Sequence, residues 1–173
     1  MKLHIGGTKS DPEWKILNAQ PAPYVDFVGD IRDLSAFAEG SVETVYASHV
    51  FEHVPLSVAS QTLKGILRIL SPGGSFLVSV PDLRVLARAL LDDQADIPKQ
   101  IHLLQMIYGG QGNPWDVHYF GWTEPLLTTY LQTSGFIDIR RVDEFGLFSD
   151  YSGYRPYGDL ISLNLVAHKS ARS

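Results

Sequence analysis

The order of elements between Glu43 and Val80 limits the folds open to this chain more than any other feature. Glu43–Ala47 (E-T-V-Y-A) is a short run that suits a buried strand. In Leu56–Leu70 the apolar residues Val58, Leu63, Ile66, Leu67 and Leu70 recur at three- and four-residue spacing, with Gln61, Lys64 and Arg68 outside that set, which is an amphipathic helix. Ser71-Pro72-Gly73-Gly74 stops the helix, and Ser75–Val80 (S-F-L-V-S-V) is another strand. Strand, helix, strand is how parallel neighbours are joined, because a parallel pair needs a long crossover.

The same reading extends in both directions. Lys2–Ile5 is β-prone and ends in Gly6-Gly7, and Trp14–Leu17 looks like a second strand. Ser10-Asp11-Pro12-Glu13 has capping-box spacing and so predicts a helical turn. Few residues lie between these two strands, at or below the roughly 10–12 that a parallel crossover takes. Either the crossover is abbreviated or Trp14–Leu17 is not a strand. A proline-containing loop (Asn18–Tyr24) leads to a third strand, Val25–Val28, and Asp33 caps a short Leu34–Ala38 segment.

Beyond Pro81-Asp82, Leu83–Leu91 and Pro98–Tyr108 read as helices, Gly109–Thr123 as a loop without period, and Thr123–Thr133 as a helix. Phe136–Val142 and Leu160–Ala167 both alternate, so they predict half-buried strands paired as an antiparallel hairpin at one sheet edge. The expectation is one α/β domain over 1–173, a Rossmann-like, doubly wound, mostly parallel sheet with an antiparallel C-terminal edge hairpin. Residues 96–123 are expected to form a lid or acceptor-side segment.

Composition excludes several functions. The 173 residues carry a net charge of −5 and no run of Lys or Arg, whereas a protein gripping a phosphate backbone carries a basic stripe. Nucleic acid is therefore not expected as a partner. The absence of cysteine rules out disulfides, thiolate nucleophiles and Cys-ligated zinc, and is compatible with the cytoplasm. No segment approaches the ~18 apolar residues of a membrane span, and the N-terminus shows no apolar export signal. A soluble cytoplasmic protein is expected.

Chemistry is most concentrated where the Glu43–Ala47 strand should end. Ser48, His49, Glu52 and His53 arrive together there, and ligands of open α/β sheets bind outside the carboxyl ends of strands. Asp30 also stands just past a strand end, and Gly6-Gly7 opens a turn that a ligand could approach closely. The plainer readings are that Ser48 caps a helix, Asp30 belongs to a turn, and the glycines make an ordinary tight turn. The loop Gly109–Thr123 offers Trp115, His118, Tyr119 and Trp122 as a lid or pocket wall, or as an aromatic-packed surface.

Taken in order, K-L-H-I-G-G, V-G-D-I-R-D-L, Y-A-S-H-V-F-E-H-V, L-S-P-G-G-S-F-L-V-S-V-P-D and D-V-H-Y-F-G-W-T resemble a small class I S-adenosylmethionine-dependent methyltransferase of the type 11 kind. The resemblance runs from Lys2 to Lys169. It implies a seven-stranded sheet with the last strand antiparallel, and S-adenosylmethionine as cofactor. Gly6 and Gly7 would face the cofactor's methionine part, Asp30 its adenine amino group, and Ile31 the adenine ring. Ser48 and His49 would floor the site near the transferred methyl. Where the family usually has an acidic residue for the ribose hydroxyls, this chain has Asn18, an amide that can still accept from one hydroxyl. The family's glycine-rich loop and first helix are curtailed to Gly6–Glu13, losing a helix N-terminus worth ~0.3–1 kcal/mol to a carboxylate. Both departures imply weaker cofactor binding or a degenerate site.

Methyl transfer from a sulfonium needs the acceptor positioned and relieved of a proton. His118, on the aromatic loop, is the candidate base, with His49 shaping the floor. The acceptor expected is a small molecule or glycan. Three rivals stand beside this. His49-Val50-Phe51-Glu52-His53 matches the H-x-x-E-H pattern of a zinc peptidase, in a context of βα units that argues against it. A non-catalytic module on the same fold would fit the departures. An NAD-dependent dehydrogenase lacks its G-x-G-x-x-G. No metal is expected from the sequence.

Overall fold

A computed structural model describes residues 1–171. The strands are β1 (Lys2–Ile5), β2 (Trp14–Asn18), β3 (Phe27–Val28), β4 (Val42–Ser48), β5 (Leu70–Pro81), β6 (Ile137–Val142) and β7 (Ser162–His168). The helices are α1 (Leu56–Ile69), α2 (Leu83–Leu90), α3 (Ile97–Tyr108) and α4 (Glu124–Thr133). Single 3-10 turns occupy Phe51–His53 and Tyr151–Gly153. All seven strands join one sheet in the order β3-β2-β1-β4-β5-β7-β6. Neighbours are parallel from β3 to β5, and β7 runs antiparallel to both β5 and β6. The mostly parallel sheet and its antiparallel C-terminal hairpin are as the sequence predicts.

Strand alternation sends Leu3, Ile5, Val45, Ala47, Phe76 and Val78 to one face, where α1 (Ala59, Leu63, Ile66) and α4 (Leu127, Leu131) bury them in a single core. His4, Trp14 and Tyr46 are covered by aromatic rings of the Phe145–Tyr151 segment. Phe148 stacks on His4 at 4.3 Å between ring centroids. A small separate cluster, Leu86, Leu103 and Ile161, fixes α2 and α3 beyond the end of β5.

The crossover from β1 to β2 is abbreviated, and Trp14–Asn18 is a true strand. Its Gly6–Glu13 connection is parallel yet holds no helix, and Gly6 N–H donates to Leu17 O at 2.8 Å to extend the ladder. The helical turn predicted at Ser10–Glu13 is instead a tight turn. Asp11, not Ser10, caps it, accepting from Glu13 N–H at 2.9 Å, and β2 begins at the next residue. Leu34–Ala38 is likewise a pair of turns rather than a helical segment. Phe37 N–H closes the turn on Leu34 O at 3.0 Å, and Arg68 also donates to the carbonyls of Leu34 and Phe37.

Three strand expectations need adjusting. The third strand is only Phe27–Val28, because the Asp26 carboxylate takes the Ile16 amide (2.9 Å) in place of a ladder carbonyl. β6 lies at the sheet edge and is largely exposed, with Asp138 in a left-handed kink at φ 50°. β7, sandwiched between β5 and β6, is buried on both faces despite its alternating sequence. Its buried Asn164 satisfies this by donating to the carbonyls of Asp143 and Ser152. Among the described residues, no helix is long and apolar enough to cross a membrane.

Candidate functional site

At the end of β4 the backbone changes hand. His49 has φ 52°, a left-handed conformation that costs a non-glycine residue on the order of 1 kcal/mol or more, and its N–H is held by Ser79 O at 2.9 Å. The kink turns the His49 ring toward β7, where Nε2 lies 2.9 Å from Ser162 Oγ. That hydroxyl donates its one proton to Tyr151 O at 2.7 Å, so Nε2–H of His49 must be the donor to Ser162.

The next turn, Phe51–His53, buries Phe51 and carries Glu52 inward, to 1% exposure. Glu52 Oε1 lies 3.4 Å from His49 Nδ1 and 3.9 Å from His118 Nε2. Both are long for a hydrogen bond. Neither carboxylate oxygen has a hydrogen-bond partner among the described residues. Burial opposes ionisation of Glu52, but the surrounding His49, His53 and His118 outweigh it and hold the carboxyl below its ordinary value. Burial pushes His118 below its ordinary value, with Glu52 pulling the other way, so this imidazole is neutral at pH 7.

The loop carrying His118 is pinned rather than free. Tyr119 N–H donates to Glu52 O at 2.9 Å and His118 N–H to Tyr108 O at 3.1 Å. His53 and His118 meet edge to face at 4.7 Å, and their Nδ1 atoms approach Val117 O (3.0 Å) and Met106 O (3.1 Å).

Two cavities open at the carboxyl ends of the parallel strands, and they meet at Gly6, His49 and His53. The smaller, about 220 Å³, brings together Gly6, Asn18, Asp30, Ile31 and His49 beneath Trp115 and Tyr119. The larger, about 700 Å³, gathers Gly6, Gly7, Ser48, His49 and His118, with Phe148 and Tyr151 on its far wall. Every residue singled out from the sequence as a cofactor or catalytic candidate therefore lines one or both.

Several of these residues are engaged in ways the sequence does not reveal. The Asp30 carboxylate accepts from Arg32 N–H, Nε and a terminal guanidinium nitrogen. Burial works against its ionisation, but the Arg32 bonds win and hold it below its ordinary value. Asn18 accepts from Gln20 N–H at 3.0 Å through Oδ1 and donates through Nδ2 to Gly7 O at 3.1 Å. Gly6 is required by its φ of 79° and by Val50, whose methyl would stand 2.5 Å from any Cβ; a Cβ on Gly7 would meet His4 at 2.9 Å.

Trp122 is not part of a lid or pocket wall. It is fully buried and stacks on Phe51 at 5.2 Å in the main core. The helical-face geometry a zinc peptidase would need is also absent from His49-x-x-Glu52-His53. Only Phe51–His53 is helical, and His49 lies outside it in the left-handed region. Sequence reasoning passed over His4, Arg32 and Phe148; His4 lies inside the strand that ends at Gly6-Gly7 and Arg32 follows Gly29-Asp30, while Phe148 lies in an aperiodic stretch that gives no signal.

A parallel sheet in this order, closed by an antiparallel β7 inserted beside β5 and with its cavities at the strand ends, defines the Rossmann-like fold of class I methyltransferases. The family model described as methyltransferase domain matches residues 10–78. No curated protein sequence matches it. Among solved structures it is similar to an S-adenosylmethionine-dependent methyltransferase from Archaeoglobus fulgidus (12% identity, TM-score 0.60, 97% of this chain and 85% of that one). It is also similar to 1,6-didemethyltoxoflavin-N1-methyltransferase from Burkholderia thailandensis (16%, 0.59, 98% and 71%). A third is a possible exported protein from Bordetella parapertussis (14%, 0.59), of which it spans 62%, less than two thirds of that chain, with 98% of its own length.

Proposed function

We propose that this chain is an S-adenosylmethionine-dependent methyltransferase acting on a small-molecule or sugar-type acceptor, in the cytoplasm. The observation that carries the reading is the junction of the two cavities at Gly6 and His49: one side suits a nucleoside and the other an acceptor. At about 220 Å³ the smaller cavity is below the ~300–1,000 Å³ of most ligand pockets, so a cofactor would extend past Gly6 into the larger one. The residues fit such a ligand. Asp30 retains acceptor capacity beyond its Arg32 bonds for an exocyclic amine, and Ile31 offers an apolar wall. Asn18 Oδ1 keeps a lone pair for a hydroxyl. Gly6 and His49 border the passage between the cavities, and Gly7 and Ser48 line the larger one beside it.

When bound, the cofactor supplies an electrophilic methyl group on sulfur. In this reading the chain holds the acceptor in line, excludes water with the 96–123 segment, and takes up a proton at His118 Nε2, with His49 Nδ1 as the second basic atom. His118 is suited to this by its neutrality and by its place on the wall of the larger cavity.

One observation favours a second reading, a ligand-binding module without turnover. The β1–β2 crossover has no helix, and Asn18 is committed to Gly7 and Gln20. Calorimetric titration of S-adenosylmethionine and S-adenosylhomocysteine separates the two readings. Saturable binding that Asp30→Ala weakens at least tenfold supports the methyltransferase. No heat from folded protein at millimolar ligand sinks it.

A further inference from the structure

The Glu52 carboxylate is the most costly unpaired group among the described residues. It is 1% exposed and without a hydrogen-bond partner among them. Burying a lone carboxylate costs several kcal/mol unless a positive charge compensates it. The hydrogen bonds of the imidazoles around it set which ring nitrogen faces it. His53 Nδ1 faces Val117 O and His118 Nδ1 faces Met106 O. A carbonyl can only accept, so each Nδ1 carries a proton, and in the neutral ring each Nε2 presents a lone pair. His49 donates through Nε2 to Ser162 and turns Nδ1 toward Glu52.

Distance points the same way. A protonated imidazole bound to a carboxylate brings N and O to about 2.7–2.9 Å. Here the separations are 3.4 Å for His49 and 3.9 Å for His118. A tetrahedral ion with bonds of about 2.0–2.1 Å holds its ligand atoms roughly 3.3 Å apart. One ligand atom each from Glu52, His53 and His118 lies within 4.8 Å of the others, so small side-chain rotations close them on one ion.

We propose that Glu52, His53 Nε2 and His118 Nε2 form a site for a single divalent transition metal ion of the zinc class, on the wall of the larger cavity. Two imidazoles and a carboxylate are a donor set suited to zinc and its neighbours rather than to magnesium or calcium. The Nδ1–H bonds to Val117 and Met106 are the outer contacts that fix metal-binding histidines in orientation and tautomer. The fourth position opens toward the cavity that Glu52, His53 and His118 all line, where a donor atom of a ligand can enter. With the ion bound, His118 acts as a ligand rather than as a free base.

The test is calorimetric titration of zinc chloride into chelator-treated full-length protein without any cofactor, so that its outcome is independent of the methyltransferase reading. One equivalent should bind saturably. Glu52→Gln and His118→Ala should each weaken binding at least tenfold, while His102→Ala, in the same cavity but held by Tyr157, should leave it unchanged. Cobalt substitution should give the visible absorption bands of a low-coordinate nitrogen and oxygen site, and circular dichroism checks that each variant is folded. No saturable zinc binding by folded wild-type protein overturns the proposal. So does binding that survives both substitutions in folded variants.

Discussion

Two parallel crossovers sit side by side in this sheet and solve one problem differently. Between β4 and β5 the chain spends His49–Ile69 on a 3-10 turn and a helix, and α1 buries Ala59, Leu63 and Ile66 against the strands. From β1 to β2 it spends only Gly6–Glu13, with no helix at all. There the Asn18–Gly7 bond ties the connection down, and Phe148 from a distant loop covers the rings of His4, Trp14 and Tyr46. The first crossover carries its own packing and its own functional groups; the second borrows packing and gives up a helix terminus.

The contrast can be broken most directly at the packing. Leu63→Ala, in the fully buried seam of α1, should cost about 2–5 kcal/mol in urea unfolding. Phe148→Ala, on a half-buried ring, should cost clearly less; equal losses would mean that the borrowed cover is as integral as the helix.

His4 sharpens the comparison through pH. Burial lowers its pKa to about 4, with Asp150 and Asp11 pulling weakly upward. A histidine kept neutral in the fold takes up protons more readily when unfolded, so stability should fall as pH drops from about 6.5 toward 4. The loss reaches on the order of 3 kcal/mol, and His4→Phe should flatten that part of the pH–stability curve.

Gly6→Ala should lose on the order of 1–3 kcal/mol from its positive φ and the clash with Val50. Adding Val50→Ala should recover only the clash, so full recovery would refute backbone strain as a cause. Asn18→Asp exchanges a donor to Gly7 O for a repelling carboxylate. It should lower the melting temperature by the equivalent of about 1–2 kcal/mol, and a stability unchanged in thermal melts would show that the Asn18–Gly7 bond is not what holds the short crossover.

The elements that local pattern dictates are legible in the sequence: β1, β2, β4, β5 and all four helices follow from periodicity and punctuation. What fails is where a distant group overrides local preference. Asp26 ends a strand by replacing its ladder partner. The alternation in β7 foretells half burial, yet the Tyr151–Gly153 turn covers the face that carries Ser162 and Asn164. For the site, strand-end position is enough to select Gly6, Asp30, Ser48 and His49. The convergence of His53 and Glu52 with His118 rests on a pinned loop without period, and no spacing in the chain announces it.

The edges of the sheet also bear on how the protein behaves in concentrated solution. At one border β3 offers two residues; at the other, β6 is kinked at Asp138, slips register between Ile137 and Arg140, and carries Arg140 and Arg141. Neither border is a long flat row of free amides and carbonyls that another copy could extend by strand addition. The chain is thereby guarded against growing into fibrous aggregates through its sheet, and a gain of such growth on straightening β6 would be a direct sign of that guard.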